Sequence, residues 1–138
     1  MIVRKLTLAA VLAVAGTGMA FAQSTTLDGV YTEEQATAGQ AVYEANCAAC
    51  HAATLRGTPG GPGIVGVRFE LNWADHTVGE LYSYIHANMP AGQPGTLSDQ
   101  QYAEVTAYIL QQNEYPSGDT ELSTDAEELE GITIVKAD

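Results

Sequence analysis

The sequence predicts an all-α domain built on three main helices, and three observations carry that prediction. Thr32-Glu33-Glu34-Gln35, Thr77-Val78-Gly79-Glu80 and Ser98-Asp99-Gln100-Gln101 each read as a capping box, a hydroxyl residue followed three positions later by Glu or Gln. Each box opens a run whose apolar residues recur at helical spacing. At the end of the first run stands Cys47-Ala48-Ala49-Cys50-His51, with no β–α–β pattern around it.

Taken in order, Met1–Ala22 reads as a signal peptide. Arg4 and Lys5 form a positive start, Leu6–Ala15 is an apolar run broken by Thr7, and Ala20-Phe21-Ala22 is a cleavage signal. The run is too short for a transmembrane helix, which needs about 20 predominantly apolar residues. Cleavage leaves Gln23 as the expected first residue and no stable membrane insertion. The mature chain then keeps Arg56, Arg68 and Lys136 against 17 carboxylates, a side-chain charge of −14. Such a charge excludes nucleic acid and anionic membrane surfaces as favoured partners, and steers the protein towards neutral or basic surfaces.

Gln23–Tyr31 is polar and reads as an arm. The first helix is expected from Glu33 to about Cys47, with Gly39 in its interior. A glycine there costs roughly 1 kcal/mol relative to alanine, which points to a close crossing by another helix, with Tyr43 filling the contact. From Ala52 the periodicity stops, and Arg56-Gly57-Thr58-Pro59-Gly60-Gly61-Pro62-Gly63 is too dense in turn residues to be helical. Ile64, Val67 and Phe69 follow as apolar residues able to close a pocket. The second helix runs from Thr77 to about Asn88 on a stripe of Val78, Leu81, Tyr82 and Ile85. Pro90 stops it and pushes Met89 towards extended geometry. The third, from Ser98 to about Asn113, buries Tyr102, Val105, Ile109 and Leu110, and Ala103 and Ala107 let it approach Gly39 and Tyr43. Residues 117–138 form an acidic C-terminal extension whose spaced anchors Leu122, Leu129, Ile132 and Ile134 should make it wrap the 23–116 domain, with a short helical turn near Asp125–Glu130.

The chemistry centres on the C-x-x-C-H run, the attachment signature of a c-type haem. Residues three and four apart share a helix face, so Cys47, Cys50 and His51 should point one way. Each thiol can add across a haem vinyl group, and the imidazole can bind the iron. Pro62 is the candidate carbonyl for orienting that imidazole. Met89 is the sole thioether of the mature chain and sits in a loop just past a helix, where it can reach the iron opposite His51; as an alternative it fills a gap in the core. A cavity lined by Cys50, His51, Pro62 and Met89 is expected. Trp73 has two readings, packing in the core or donating its indole N–H to a haem propionate. The same residues suit other chemistries. A five-coordinate haem with Met89 detached would be an enzyme or gas binder. Zinc could be held by Cys47, Cys50, His51 and either His76 or His86. The pair could also be a dithiol redox centre.

Three helices, C-A-A-C-H closing the first, G-P-G-I-V-G after it and M-P before the last together resemble a class I cytochrome c over roughly Gln35–Asn113. The strings Met89–Leu97, Ala107–Leu110 and Asn113–Pro116 are similar, more narrowly, to cytochrome c subunits and domains that accompany periplasmic dehydrogenases, including quinoprotein (PQQ) types. The resemblance implies one covalently attached haem c and its iron, thioether links at Cys47 and Cys50, and axial ligands His51 and Met89. It places Pro62 at the histidine-orienting position, and Ile64 where leucine is usual. It also implies an exported, periplasmic electron carrier, with a dehydrogenase as donor and a terminal oxidase or another cytochrome as acceptor. His76 and His86 match no ligand position.

Overall fold

The computed structural model describes residues 23–137, so the signal peptide expected at Met1–Ala22 lies outside the described residues. The elements, in order, are β1 (Ser24–Thr25), α1 (Glu33–Asn46), α2 (Ala48–His51), α3 (Val67–Trp73), α4 (Val78–Asn88), α5 (Asp99–Gln112), α6 (Ala126–Leu129) and β2 (Ile132–Thr133).

The central joint is the crossing of α1 and α5. A Cβ at Gly39 would stand 1.9 Å from the Glu104 carbonyl oxygen and 2.9 Å from Tyr108 Cβ. No larger residue fits there, so the helix-propensity cost of this glycine lets the two backbones meet. Tyr43 then packs its ring on Tyr108, with centroids 5.4 Å apart. Ala36, Tyr43, Tyr102, Ala103, Ala107 and Leu110 are fully buried around the joint. The partner expected for Gly39 is the one observed.

Two capping boxes form completely. Thr77 and Glu80 exchange bonds at the start of α4, as do Ser98 and Gln101 at the start of α5. The first closes only halfway. Thr32 Oγ1 accepts from the Gln35 N–H at 3.2 Å, but the Gln35 side chain turns inward to the C-terminal segment. Its Nε2 donates to the Leu122 carbonyl at 2.9 Å and its Oε1 accepts from the Leu122 N–H at 2.7 Å. The amide serves a tertiary joint because Leu122 offers a donor and an acceptor that would otherwise be buried unpaired.

Three further features depart from expectation. Residues 23–31 are not a plain arm: β1 pairs in parallel with β2, Ser24 opposite Ile132, and Thr25–Asp28 form a capping box of their own around one 3₁₀ turn. The first helix stops at Asn46, and Cys47, at φ −122°, ψ −36°, breaks it from α2. Helix α3 was not anticipated; it starts at Val67 after Gly66, without any side-chain cap, and turns just Phe69 fully inward.

Leu122, Leu129 and Ile134 are buried at 3%, 1% and 0% exposure. The segment after α6 also pairs with the turn before α4: Ile134 N–H donates to the His76 carbonyl at 2.8 Å, and Asp75 N–H to the Ile134 carbonyl at 2.9 Å. Tyr31 and Tyr115 strap the same region, their hydroxyls donating to the Tyr115 and Val135 carbonyls, each at 2.5 Å.

Candidate functional site

The C-x-x-C-H run sits on a break between two helices. Cys47 still heads a helical turn, its carbonyl accepting from the N–H groups of Cys50 at 3.1 Å and His51 at 2.9 Å. The three side chains therefore belong to one turn after a kink, where the sequence suggested one continuous helix face. Tyr43, one turn back on α1, donates its hydroxyl to the Ala52 carbonyl at 2.6 Å and so pins the residue after the histidine. Ala52 itself is held at φ +65°, a region unusual for a residue with a Cβ.

The loop that follows folds back over this turn. Thr58 Oγ1 donates to the Cys50 carbonyl at 2.6 Å, and Gly57 N–H to the His51 carbonyl at 2.9 Å. These bonds place the Pro62 carbonyl 2.7 Å from His51 Nδ1. A carbonyl can only accept, so Nδ1 carries the proton and Nε2 keeps its lone pair. His51 is buried, at 8% exposure. Asn113 anchors the far end of the loop from α5: its side chain donates to the Ile64 carbonyl at 3.1 Å and accepts from the Gly66 N–H at 2.9 Å.

Both cysteines are free thiols, Cys50 exposed and Cys47 half-buried. Burial, assisted by the neighbouring Cys50, pushes the Cys47 thiol up to about 11. A dithiol redox centre works through a depressed thiol pKa, so this environment opposes that chemistry. The zinc reading fares no better. His76 Nδ1 lies 3.0 Å from Glu80 and His86 Nε2 3.3 Å from Asp99. Among the described residues no group of three His, Cys, Asp or Glu side chains is arranged to hold a metal ion.

Cys47, Cys50, His51 and Pro62 are thus brought together, while Met89 and Trp73 are held by other contacts. Met89 caps the C-terminus of α4 with φ −121°, ψ 151°, the extended geometry that Pro90 favours. Its N–H donates to the Ile85 carbonyl at 2.8 Å, and its carbonyl accepts from the Tyr102 hydroxyl at 2.8 Å. Trp73 is half-buried, edge-on to Tyr84 at 5.5 Å and to His76 at 5.8 Å. An open groove of about 600 Å³ runs along Arg56–Gly63 with Arg68, and of the four residues expected to line a cavity Pro62 borders this groove. His51 packs against that loop through its Nδ1 contact with Pro62, and Cys50 is exposed on the turn before it.

Sequence reasoning missed the straps. Tyr43, Tyr102, Thr58 and Asn113 fix the site through hydroxyl or amide contacts to backbone carbonyls. Their signal was compositional: seven tyrosines against two phenylalanines and one tryptophan, a choice that favours aromatic residues with a hydrogen-bonding tip.

The donor set fits covalent haem. Two unbridged thiols lie one helical turn apart, an adjacent imidazole has Nε2 available, and a fringe of half-buried apolar residues, Ala48, Ile64, Val65, Met89 and Leu97, packs on the core. A helical fold carrying C-x-x-C-H in this setting defines a class I c-type cytochrome. Residues 34–109, more than half of the chain, match the family described as cytochrome c oxidase, cbb3-type, subunit III, and the chain belongs to that cytochrome c family. Its cofactor is covalently bound haem c with iron, and its class of activity is electron transfer. The fold is also similar to a chain in the crystal structure of the sulfane dehydrogenase SoxCD from Paracoccus pantotrophus, at TM-score 0.56 and 22% identity, over 94% of this chain and 68% of that one. The comparison with curated proteins finds no match.

Proposed function

We propose that this protein is a periplasmic single-electron carrier in which Cys47 and Cys50 would hold a haem c, with His51 Nε2 and the Met89 thioether ligating its iron. When bound, the haem supplies a one-electron iron couple. The chain's residues do the rest. The observation that carries the reading is the 2.7 Å contact of His51 Nδ1 with the Pro62 carbonyl, which fixes the tautomer and aims Nε2 away from the loop. Met89 is the one thioether in the described chain, and its backbone is fastened at both N–H and carbonyl. With both ligands in place the iron would offer no open position for oxygen or substrate, and a histidine–methionine pair would raise its potential relative to more electron-donating pairs. Trp73 is half-buried, and its indole N–H is proposed to donate to a haem propionate.

Export follows from the leader expected at Met1–Ala22. Among the described residues no helix is long and apolar enough to cross a membrane. A periplasmic dehydrogenase is the proposed donor, supported by the fold shared with a chain of a dehydrogenase assembly. A terminal oxidase or another cytochrome is the proposed acceptor, and the name of the matching family points the same way.

Met89→Ala tests the ligation. The haem should stay on the chain in a denaturing gel, the weak near-infrared band of methionine bound to ferric haem should vanish, and the potential should fall by a sizeable share of the about 0.8 V that axial ligation spans. An unchanged spectrum and potential would remove Met89 from the site.

A further inference from the structure

We infer that the groove between Arg56 and Arg68 is an anion-receiving docking site, through which a carboxylate of the redox partner seats beside the Cys50 attachment point. This rests on the electron-carrier reading above and adds where, and by what chemistry, the partner is met.

The argument begins with charge. The described chain has three cations, Arg56, Arg68 and Lys136, in a sequence with 17 carboxylates. Two of the three line one groove. Both arginines are exposed, and among the described residues neither guanidinium has a carboxylate within salt-bridge distance; the ion pairs recorded there are those of His76 and His86. In so acidic a chain, two cations that share a groove and leave every internal acid aside are free to take an external anion. Guanidinium groups present forked donors that suit a carboxylate.

Position supplies the second half. The groove wall is the loop that carries Pro62, the His51 acceptor. A Cβ at Gly60 would lie 3.8 Å from Cys50 Sγ, and one at Gly61 would collide with the Cys50 carbonyl at 2.9 Å. Glycines at these places keep the wall thin, so a group in the groove lies close to the attachment sulfur with no side chain between. The surrounding negative field then favours a partner that is neutral or basic overall and presents one acidic projection. Repulsion elsewhere makes the groove a register mark as well as a contact.

The test uses the full holoprotein and its Arg56→Gln/Arg68→Gln double variant, with Arg56→Lys/Arg68→Lys as a charge-conserving control. One electron passes from the ferrous protein to ferricyanide, an anionic oxidant, or to tris(phenanthroline)cobalt(III), a cationic one. The glutamine variant should react about three- to tenfold more slowly with ferricyanide, the range two exposed charge contacts allow, and unchanged with the cobalt complex. The lysine variant should restore most of the ferricyanide rate, and the midpoint potential should not move. Hexaglutamate peptide should slow ferricyanide oxidation of the wild type alone. It should also shift the arginine Nε–H signals of the wild type in NMR spectra, a readout that does not depend on axial ligation. Equal slowing with both oxidants, or a displaced midpoint potential, would show that the arginines serve the haem and would overturn the proposal. So would ferricyanide rates that ignore the substitutions, or arginine signals that ignore the peptide.

Discussion

Two parts of this chain have little long-range regular structure, and they are held in opposite ways. The loop from Ala52 to Gly66, over the C-x-x-C-H turn, is fixed by hydrogen bonds: Thr58 to Cys50, Gly57 to His51, His51 to Pro62 and Asn113 to both Ile64 and Gly66. Within it Leu55 alone is fully buried, at 1% exposure. The belt formed by residues 23–31 and 115–137 buries Tyr31, Tyr115, Leu122, Leu129 and Ile134, each at 3% exposure or less. Apolar burial drives stability at about 25 cal/mol per Å², while a hydrogen bond contributes a net of about 1 kcal/mol. The belt therefore completes itself with its own side chains. The loop is well shaped but thinly packed, and a group attached at Cys47 and Cys50 would be needed to complete its packing.

The largest effect should come from removing that group. The double variant Cys47→Ala/Cys50→Ala should carry no covalent haem in a denaturing gel, and the apo chain should be largely unfolded or molten by near-ultraviolet circular dichroism, because a domain of this size has little stability to spare. A haem-free chain with native-like dichroism would erase the contrast between loop and belt. Next comes Leu129→Ala in the holoprotein, which should cost about 3 kcal/mol in denaturant unfolding and leave the haem spectrum unchanged. A spectral change there would show that the two regions are coupled. Gln35→Ala strips both partners from the buried Leu122 peptide and should cost about 2 kcal/mol, again with no shift in potential.

The smallest effect is a pH dependence carried by buried tyrosines, Tyr31 in the belt and Tyr43 beside the site among them. Burial first, and then the charge of Glu33, pushes the Tyr31 hydroxyl up to about 12, and burial does the same for Tyr43. The unfolded chain ionises its tyrosines near pH 10. The stability these groups contribute is therefore complete below about pH 10 and is lost as pH rises towards about 12. Denaturant midpoints measured from pH 8 to 12 should fall over that window, and Tyr31→Phe should make the fall shallower while lowering stability slightly at neutral pH.

Much of the scaffold was legible before any coordinates. The boxes at Thr77 and Ser98, the glycine at position 39 and the small residues Ala103 and Ala107 each state a local geometric demand, and a helix start or a close crossing is a local event. Helix α3 was not legible because it lacks those statements. It follows a glycine, has no side-chain cap, and leaves Val67 at 71% and Leu71 at 82% exposure, so its apolar residues trace no single inward stripe. The kink at Cys47 was hidden for another reason: a four-residue turn and a helix end have the same residue spacing. Of the site, the cysteines and the histidine carry a motif, whereas the Tyr43, Tyr102 and Thr58 straps join a side chain to a distant carbonyl. A carbonyl has no residue type, so nothing in a sequence marks it.

The Gln35 joint has a consequence for how the acidic tail responds to its surroundings. The tail holds carboxylates at Asp119, Glu121, Asp125, Glu127, Glu128 and Glu130, yet Gln35 fastens it through two bonds between neutral amides, 2.9 and 2.7 Å long. Neither bond gains or loses a charge when those carboxylates are protonated or salt accumulates around them, since screening acts on charges. At this joint attachment is independent of charge, whereas a second joint, where the Glu130 carboxylate accepts from the Thr77 hydroxyl, is not. The tail's carboxylates can be neutralised, shielded or replaced one at a time while the strap at Leu122 keeps its grip.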